Sequence, residues 1–160
     1  MSDDTSTPGP KTAPDGKGAT GIDHLLSIID GRSPRAPISA TLGFDLVAVE
    51  SGKAVFEGRT GEHLCNPMGT VHGGFAATLL DSALGSAVLT RLPAGLAYST
   101  AQLNVNMVRP ITPLTGTLRA TAQVVHLGRT LATAEARLSG IEDGRTYAHA
   151  TATCAVFASR

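Results

Sequence analysis

Apolar residues recur along this chain with two different periods. Near the start, Ile22, Leu25, Leu26, Ile28 and Ile29 fall at helical spacing and Gly31 follows as a stop, which predicts a short amphipathic helix. Pro34 and Pro37 predict a linker. Residues 44–50 and 53–60 read as two strands joined by a turn at Ser51-Gly52, and residues 61–71 as a loop turning at Asn66-Pro67. From 72 to 91 the character changes. Phe75, Ala76, Ala77, Leu79, Leu80, Ala83, Leu84, Ala87, Val88 and Leu89 put apolar groups on nearly every face, and a helix that is apolar all round belongs inside a core. Pro93 and Gly95 end it.

Period-two patterning follows. Leu103, Val105 and Met107 alternate with Gln102, Asn104 and Asn106; Leu118, Ala120, Ala122 and Val124 with Thr117, Arg119, Thr121 and Gln123. The same alternation sets Ala132, Ala134, Ala136 and Leu138 against Thr133, Glu135, Arg137 and Ser139, and Ala148, Ala150 and Ala152 against His149, Thr151 and Thr153. Successive segments of this kind with short connections predict an antiparallel sheet with one polar and one buried face. The expected architecture is therefore α+β: a curved antiparallel sheet of five to six strands around one long buried helix. Small inward alanines would let sheet and helix approach closely.

Composition narrows the function classes. Lys and Arg number 13 and Asp and Glu 13 in 160 residues. A zero balance argues against nucleic acid or an anionic membrane surface as partner. The stretch 68–90 has no Lys or Arg but is interrupted by His72 and Asp81, so no membrane span is expected. Residues 1–20 hold three Pro, three Gly, six Ser or Thr and no Leu, Ile, Val or Phe. Such a segment cannot bury enough surface to offset its ordering entropy and is expected to be a disordered tail, leaving 21–160 as one domain. It has no apolar stretch of the secretory kind. With two cysteines, Cys65 and Cys154, the expected setting is a reducing cytoplasm without a disulfide framework.

Asp81 carries the most chemical information. It lies between Leu80 and Ser82 in the most apolar helix, where an isolated ionised carboxylate is costly. Either it faces a polar gap, or it lines a site as a partly desolvated base or nucleophile. The second feature is Gly69-Thr70-Val71-His72-Gly73-Gly74, which opens that helix. A helix start offers unpaired N–H groups and the positive end of the dipole, and glycines there leave room for a ligand. The plainer alternative is a tight loop-to-helix turn. Gly73 and Asp81 are eight residues apart, roughly 12 Å at ~1.5 Å per residue, whereas a base and an oxyanion donor must both lie about 3 Å from one reacting centre. If both act on one substrate, they are expected to come from two chains related by a two-fold axis.

The run Asn66-Pro67-Met68-Gly69-Thr70-Val71-His72-Gly73-Gly74, followed by Asp81, resembles the hotdog-fold acyl-CoA thioesterases of the phenylacetate-degradation (PaaI-like) type. Gln102-Leu103-Asn104-Val105-Asn106 with Arg109-Pro110, and Val125-His126-Leu127-Gly128-Arg129, agree with that family's later strands. The resemblance extends over residues 38–157. It implies a hotdog fold and hydrolysis of an acyl-CoA, with CoA as part of the substrate, no separate cofactor and no metal. It implies Asp81 as general base or nucleophile, Gly73 as the N–H that polarises the thioester carbonyl, Asn66 as the residue that positions water or thioester, and His72 as support for the same loop. Thr100 matches a position where some members have a serine that assists water. A dimer or dimer of dimers is implied as well.

The CoA phosphates need cationic partners. Arg109, and Arg129 after Gly128, are candidates, with Gly74 beside the acyl site; for each Arg a solvated surface role is the alternative. Two other functions remain open at this level. One is a hotdog hydratase or dehydratase of 3-hydroxyacyl thioesters, which would pair a His with a carboxylate. The other is a non-enzymatic acyl-CoA binding module.

Overall fold

The computed structural model describes residues 18–159. Most of the expected tail, residues 1–17, lies outside the described residues, but its last member belongs to the fold. Thr20 caps the first helix, α1 (Gly21–Ile29): its backbone N–H donates to Asp23 Oδ2 at 3.0 Å and its hydroxyl accepts from Asp23 N, the reciprocal pairing that satisfies a helix start. A second helix, α2 (Pro37–Leu42), occupies part of the expected linker. Proline at its first turn and Gly43 in the left-handed region after it, at φ 72°, bracket it as helix physics prefers.

Six strands follow: β1 (Phe44–Glu50), β2 (Lys53–Arg59), β3 (Leu96–Met107), β4 (Thr117–Leu127), β5 (Leu131–Gly140) and β6 (Thr146–Ala158). They form one antiparallel sheet in the order β1-β2-β4-β5-β6-β3. Between β2 and β3 run a short 3-10 turn, Glu62–Leu64, and the long helix α3 (Gly73–Leu89). The sheet curls around α3. Ala120, Ala132, Ala148 and Leu138 on the inward face are fully buried, as are Leu79, Leu80, Leu84 and Val88 of the helix. Short alanine side chains permit that close approach, and the dense contact gives the core its stability.

Two features depart from the sequence pattern. The helix is not covered all round. Ala77, Thr78, Asp81 and Ser82 are only half-buried and Gly74 is exposed, so one face of small and polar residues stays open. Second, β3 pairs only with β6 and so forms a sheet edge twelve residues long. No described helix is long and apolar enough to cross a membrane.

Candidate active site

The site is built where the loop before α3 meets the chain after β3. Asn66 organises the loop. Its Oδ1 accepts from Met68 N at 2.9 Å and Thr70 N at 3.3 Å, and its Nδ2 donates to Thr70 Oγ1 at 2.8 Å. Gly69, at φ 80°, supplies the left-handed residue that lets the turn close. Val71 N donates to Ile111 O, and His72 N to Leu64 O, which fastens both flanks.

The start of α3 is then set by His72. It is the N-cap residue, and its Nδ1 accepts from Gly74 N at 2.8 Å. Phe75 N turns back to His72 O at 3.0 Å. Gly73, the first helical residue, donates its N–H to no protein group among the described residues. One unpaired donor is thus left at the positive end of the helix dipole. Gly73 lines a cavity of about 380 Å³ with Asn66, Thr70, Met107, Arg109 and Ile111. His72 and Gly74 instead line a neighbouring hollow of about 370 Å³ with Cys65, Phe75 and Thr78. The two glycines are therefore not equivalent: Gly74 spends its N–H on the cap and Gly73 keeps its own for the cavity.

Asp81 sits two turns further along α3, on the open face. Thr100 Oγ1 of β3 donates to its Oδ1 at 3.1 Å. Thr100 can do this because β3 carries a bulge between Thr100 and Gln102. Leu103 and Val105 face inward, so simple alternation would aim Ala101 and Ser99 at the helix and Thr100 away from it. The bulge absorbs one residue and turns Tyr98 and Thr100 inward. Cys154 lies opposite Thr100 on β6. Burial pushes its thiol pKa up, and the charge of Asp81 adds to that.

Asp81 lines neither hollow. One chain therefore holds two groups of the expected site residues apart. Asn66, Gly73 and Arg109 share one cavity. Asp81 and Thr100 pair elsewhere, and Gly128 and Arg129 lie at the β4–β5 turn, where Gly128 N donates to Leu131 O at 2.8 Å. Leu127 pairs with Ala132, Ala132 with Cys154 and Cys154 with Thr100, so that turn is at the Thr100 end of the sheet. Arg109 is at the other end, beside Tyr147. The length of β4 separates the two arginines by roughly 30 Å at ~3.3 Å per residue. Beside Arg109, Asp143 is held below the usual carboxylate range by the Arg145 backbone N–H and the Tyr147 hydroxyl, with smaller contributions from Arg145 and Arg109 charges. Met107 and Tyr98 were not singled out by chemistry in the sequence, yet Met107 lines the Gly73 cavity. The one local sign of Tyr98 is Gly85, one turn beyond Asp81.

A sequence profile of the thioesterase superfamily matches residues 68–147, half of the chain. The chain belongs to the thioesterase superfamily. The matched span contains Gly73, Asp81, Thr100 and Arg109. Human acyl-coenzyme A thioesterase 13 is 31% identical over 125 residues, 78% of this chain and 88% of that protein. A candidate esterase of Halobacterium salinarum is 46% identical over 67 residues, 42% of this chain, and the match spans 44% of that relative. Among solved structures, a phenylacetic acid degradation-related protein from Ralstonia eutropha superposes with a TM-score of 0.73 at 31% identity, covering 82% of this chain and 98% of that one. The chain is thus a hotdog-fold enzyme of the thioesterase class and resembles the PaaI-like branch.

Proposed function

We propose that this chain hydrolyses an acyl-CoA to free acid and CoA at a site completed by two copies. The observation that carries the reading is the free N–H of Gly73 at the start of α3, beside Asn66 and facing a cavity that excludes Asp81. A carbonyl oxygen gaining negative charge is stabilised by such a fixed donor in a partly dry pocket. Asp81, steadied by Thr100, takes a proton from water while the water oxygen bonds to the carbonyl carbon; alternatively the carboxylate itself attacks, and once the thiolate has left, water hydrolyses the resulting anhydride to the free acid and restores the Asp81 carboxylate. Collapse of the tetrahedral adduct breaks the C–S bond, and the thiolate leaves as CoA and takes up a proton.

The second copy supplies the missing half. The edge strand β3 has no charged residue and no proline across Leu96–Met107, features that otherwise blunt an exposed edge. Pairing of two such edges across a two-fold axis brings Asp81 and Thr100 of one chain toward Gly73 and Asn66 of the other. Arg109 of one copy and Arg129 of its partner then flank the same opening and serve the CoA phosphates. His72 favours this reading over the hydratase, because its Nδ1 is committed to Gly74 N. Asp81→Asn tests the assignment. It keeps an acceptor for Thr100, so it should lower kcat by about 10²–10⁴-fold, the range for a lost acid–base group, with the fold retained. Thioester turnover within threefold of the parent would sink the role of Asp81.

A further inference from the structure

The open face of α3 beyond Asp81 ends against Tyr98. Gly85 lies one helical turn from Asp81, about 6 Å along the axis at ~1.5 Å per residue. A Cβ at Gly85 would collide with the Tyr98 hydroxyl and lie 2.7 Å from Tyr98 Cζ. The phenol thus rests directly on the helix backbone, and only glycine admits it. Thr100 and Tyr98 reach the helix from the same side of β3, on the same side of the bulge. Thr100 spends its hydroxyl on Asp81. The Tyr98 hydroxyl has no hydrogen-bond partner among the described residues. Burial raises its pKa, with Cys154 and Asp81 adding to the effect, so it remains a protonated donor throughout the working pH range. Tyr98 is half-buried, and no buried side-chain oxygen among the described residues lacks a partner, so this hydroxyl is a solvent-reached neutral donor beside a carboxylate, free to be taken up by a ligand and costly to cover without one.

We infer that Tyr98 is the residue that sets acyl-group specificity: its ring closes the acyl channel one turn past Asp81, and its hydroxyl donates to an oxygen on the far end of the acyl group. The inference rests on the hydrolytic reading of the Asp81 site and deepens it. The favoured substrates are compact acyl thioesters with a hydroxyl or oxo group at the end remote from the thioester, on the scale of the one helical turn, about 6 Å, between Asp81 and Gly85. Long unsubstituted chains are refused twice, by the ring and by the unpaired hydroxyl they would leave behind. Tyr98 touches the acyl group and not the reacting atoms, so it selects substrates without taking part in the chemical step.

The test compares hexanoyl-CoA, 6-hydroxyhexanoyl-CoA and dodecanoyl-CoA with the full chain and with the variants Tyr98→Phe, Tyr98→Ala and Asp81→Asn. The parent protein should prefer the hydroxylated six-carbon substrate to its plain counterpart by about tenfold in kcat/KM, the worth of one neutral hydrogen bond. Tyr98→Phe keeps the ring and should bring that ratio close to one while leaving hexanoyl-CoA turnover within about twofold. Tyr98→Ala should raise dodecanoyl-CoA relative to hexanoyl-CoA. A purely structural tyrosine would lower all three rates together. If the parent hydrolyses these thioesters, Asp81→Asn abolishes it and Tyr98→Phe leaves the ratio unchanged, the role of Tyr98 is overturned and the hydrolytic reading stands. If the parent cleaves none of them, both fall.

Discussion

Replacing Gly73 by proline deletes one hydrogen-bond donor at almost no structural cost, and that makes the shared site testable. Gly73 is the first residue of α3, where the N–H has no helical acceptor and proline is well tolerated. A residue before proline must be extended, and His72 already is, at φ −60° and ψ 134°. The new side chain meets only Met107, whose Cε and Sδ lie 2.7 and 2.8 Å from an ideal Cβ. That thioether is flexible and can swing away. The variant should therefore fold with a near-parental urea midpoint and lose about 10²–10³-fold in kcat, the measured scale for one oxyanion donor. Asp81→Asn should be inactive for a different reason. When the two inactive chains are denatured, mixed in equal amounts and refolded together, random pairing makes about half of the dimers mixed. Each mixed dimer has one site with both groups intact and one with neither. Activity should return to about a quarter of the parental value, read as free thiol release from an acyl-CoA. A mixture no more active than the mean of its parents would mean that both groups serve within one chain, and the distance argument would be wrong.

Two further outcomes concern the fold and its pH dependence. Leu84→Ala empties a fully buried position on α3 and should cost about 2–5 kcal/mol in urea unfolding; a loss below about 1 kcal/mol would show that α3 is not the centre of the core. In the β5–β6 turn, Glu142 and Asp143 have pKa values lowered from 4.5 and 3.8, chiefly by the backbone N–H groups of Thr117 and Arg145 respectively. A lowered folded-state pKa means the contribution is complete above the unfolded values and disappears as pH falls through the folded ones. Unfolding midpoints followed downward through that acid range should fall less steeply in Glu142→Gln/Asp143→Asn than in the parent, and parallel acid limbs would contradict it.

What the sequence could and could not convey follows from the range of the forces involved. The antiparallel strands and the long helix α3 are written in local periodicity, and each of these elements is present in the structure. Asp81 stands out because a carboxylate among leucines and alanines is a conflict visible without coordinates. The short helix α2 escapes because six residues hold too little of a 3.6-residue period to register, although Pro37 and Gly43 mark its ends. The open face of α3 escapes for a different reason. Ala77 and Gly85 count as apolar whether they meet a sheet or an unfilled channel, so composition cannot tell a covered face from an uncovered one.

Thr100 shows the limit most clearly. Its direction depends on one extra residue in β3, and nothing in Ser99-Thr100-Ala101 announces a bulge. The bulge lets β3 keep its pairing with β6 while presenting Tyr98 and Thr100 to α3, and β6 lies about fifty residues further along the chain. Strand pairing over such separations is decided by the whole sheet. The same long-range pairing sends β3 to the outer edge, next to the last strand instead of the preceding one. The two structural facts that matter most to the chemistry, the inward turn of Thr100 and the unpaired edge beside it, thus have one origin. A strand that carries site residues and keeps one side free is suited to bring them to a second copy, as the proposed division of Gly73 and Asp81 between two chains requires.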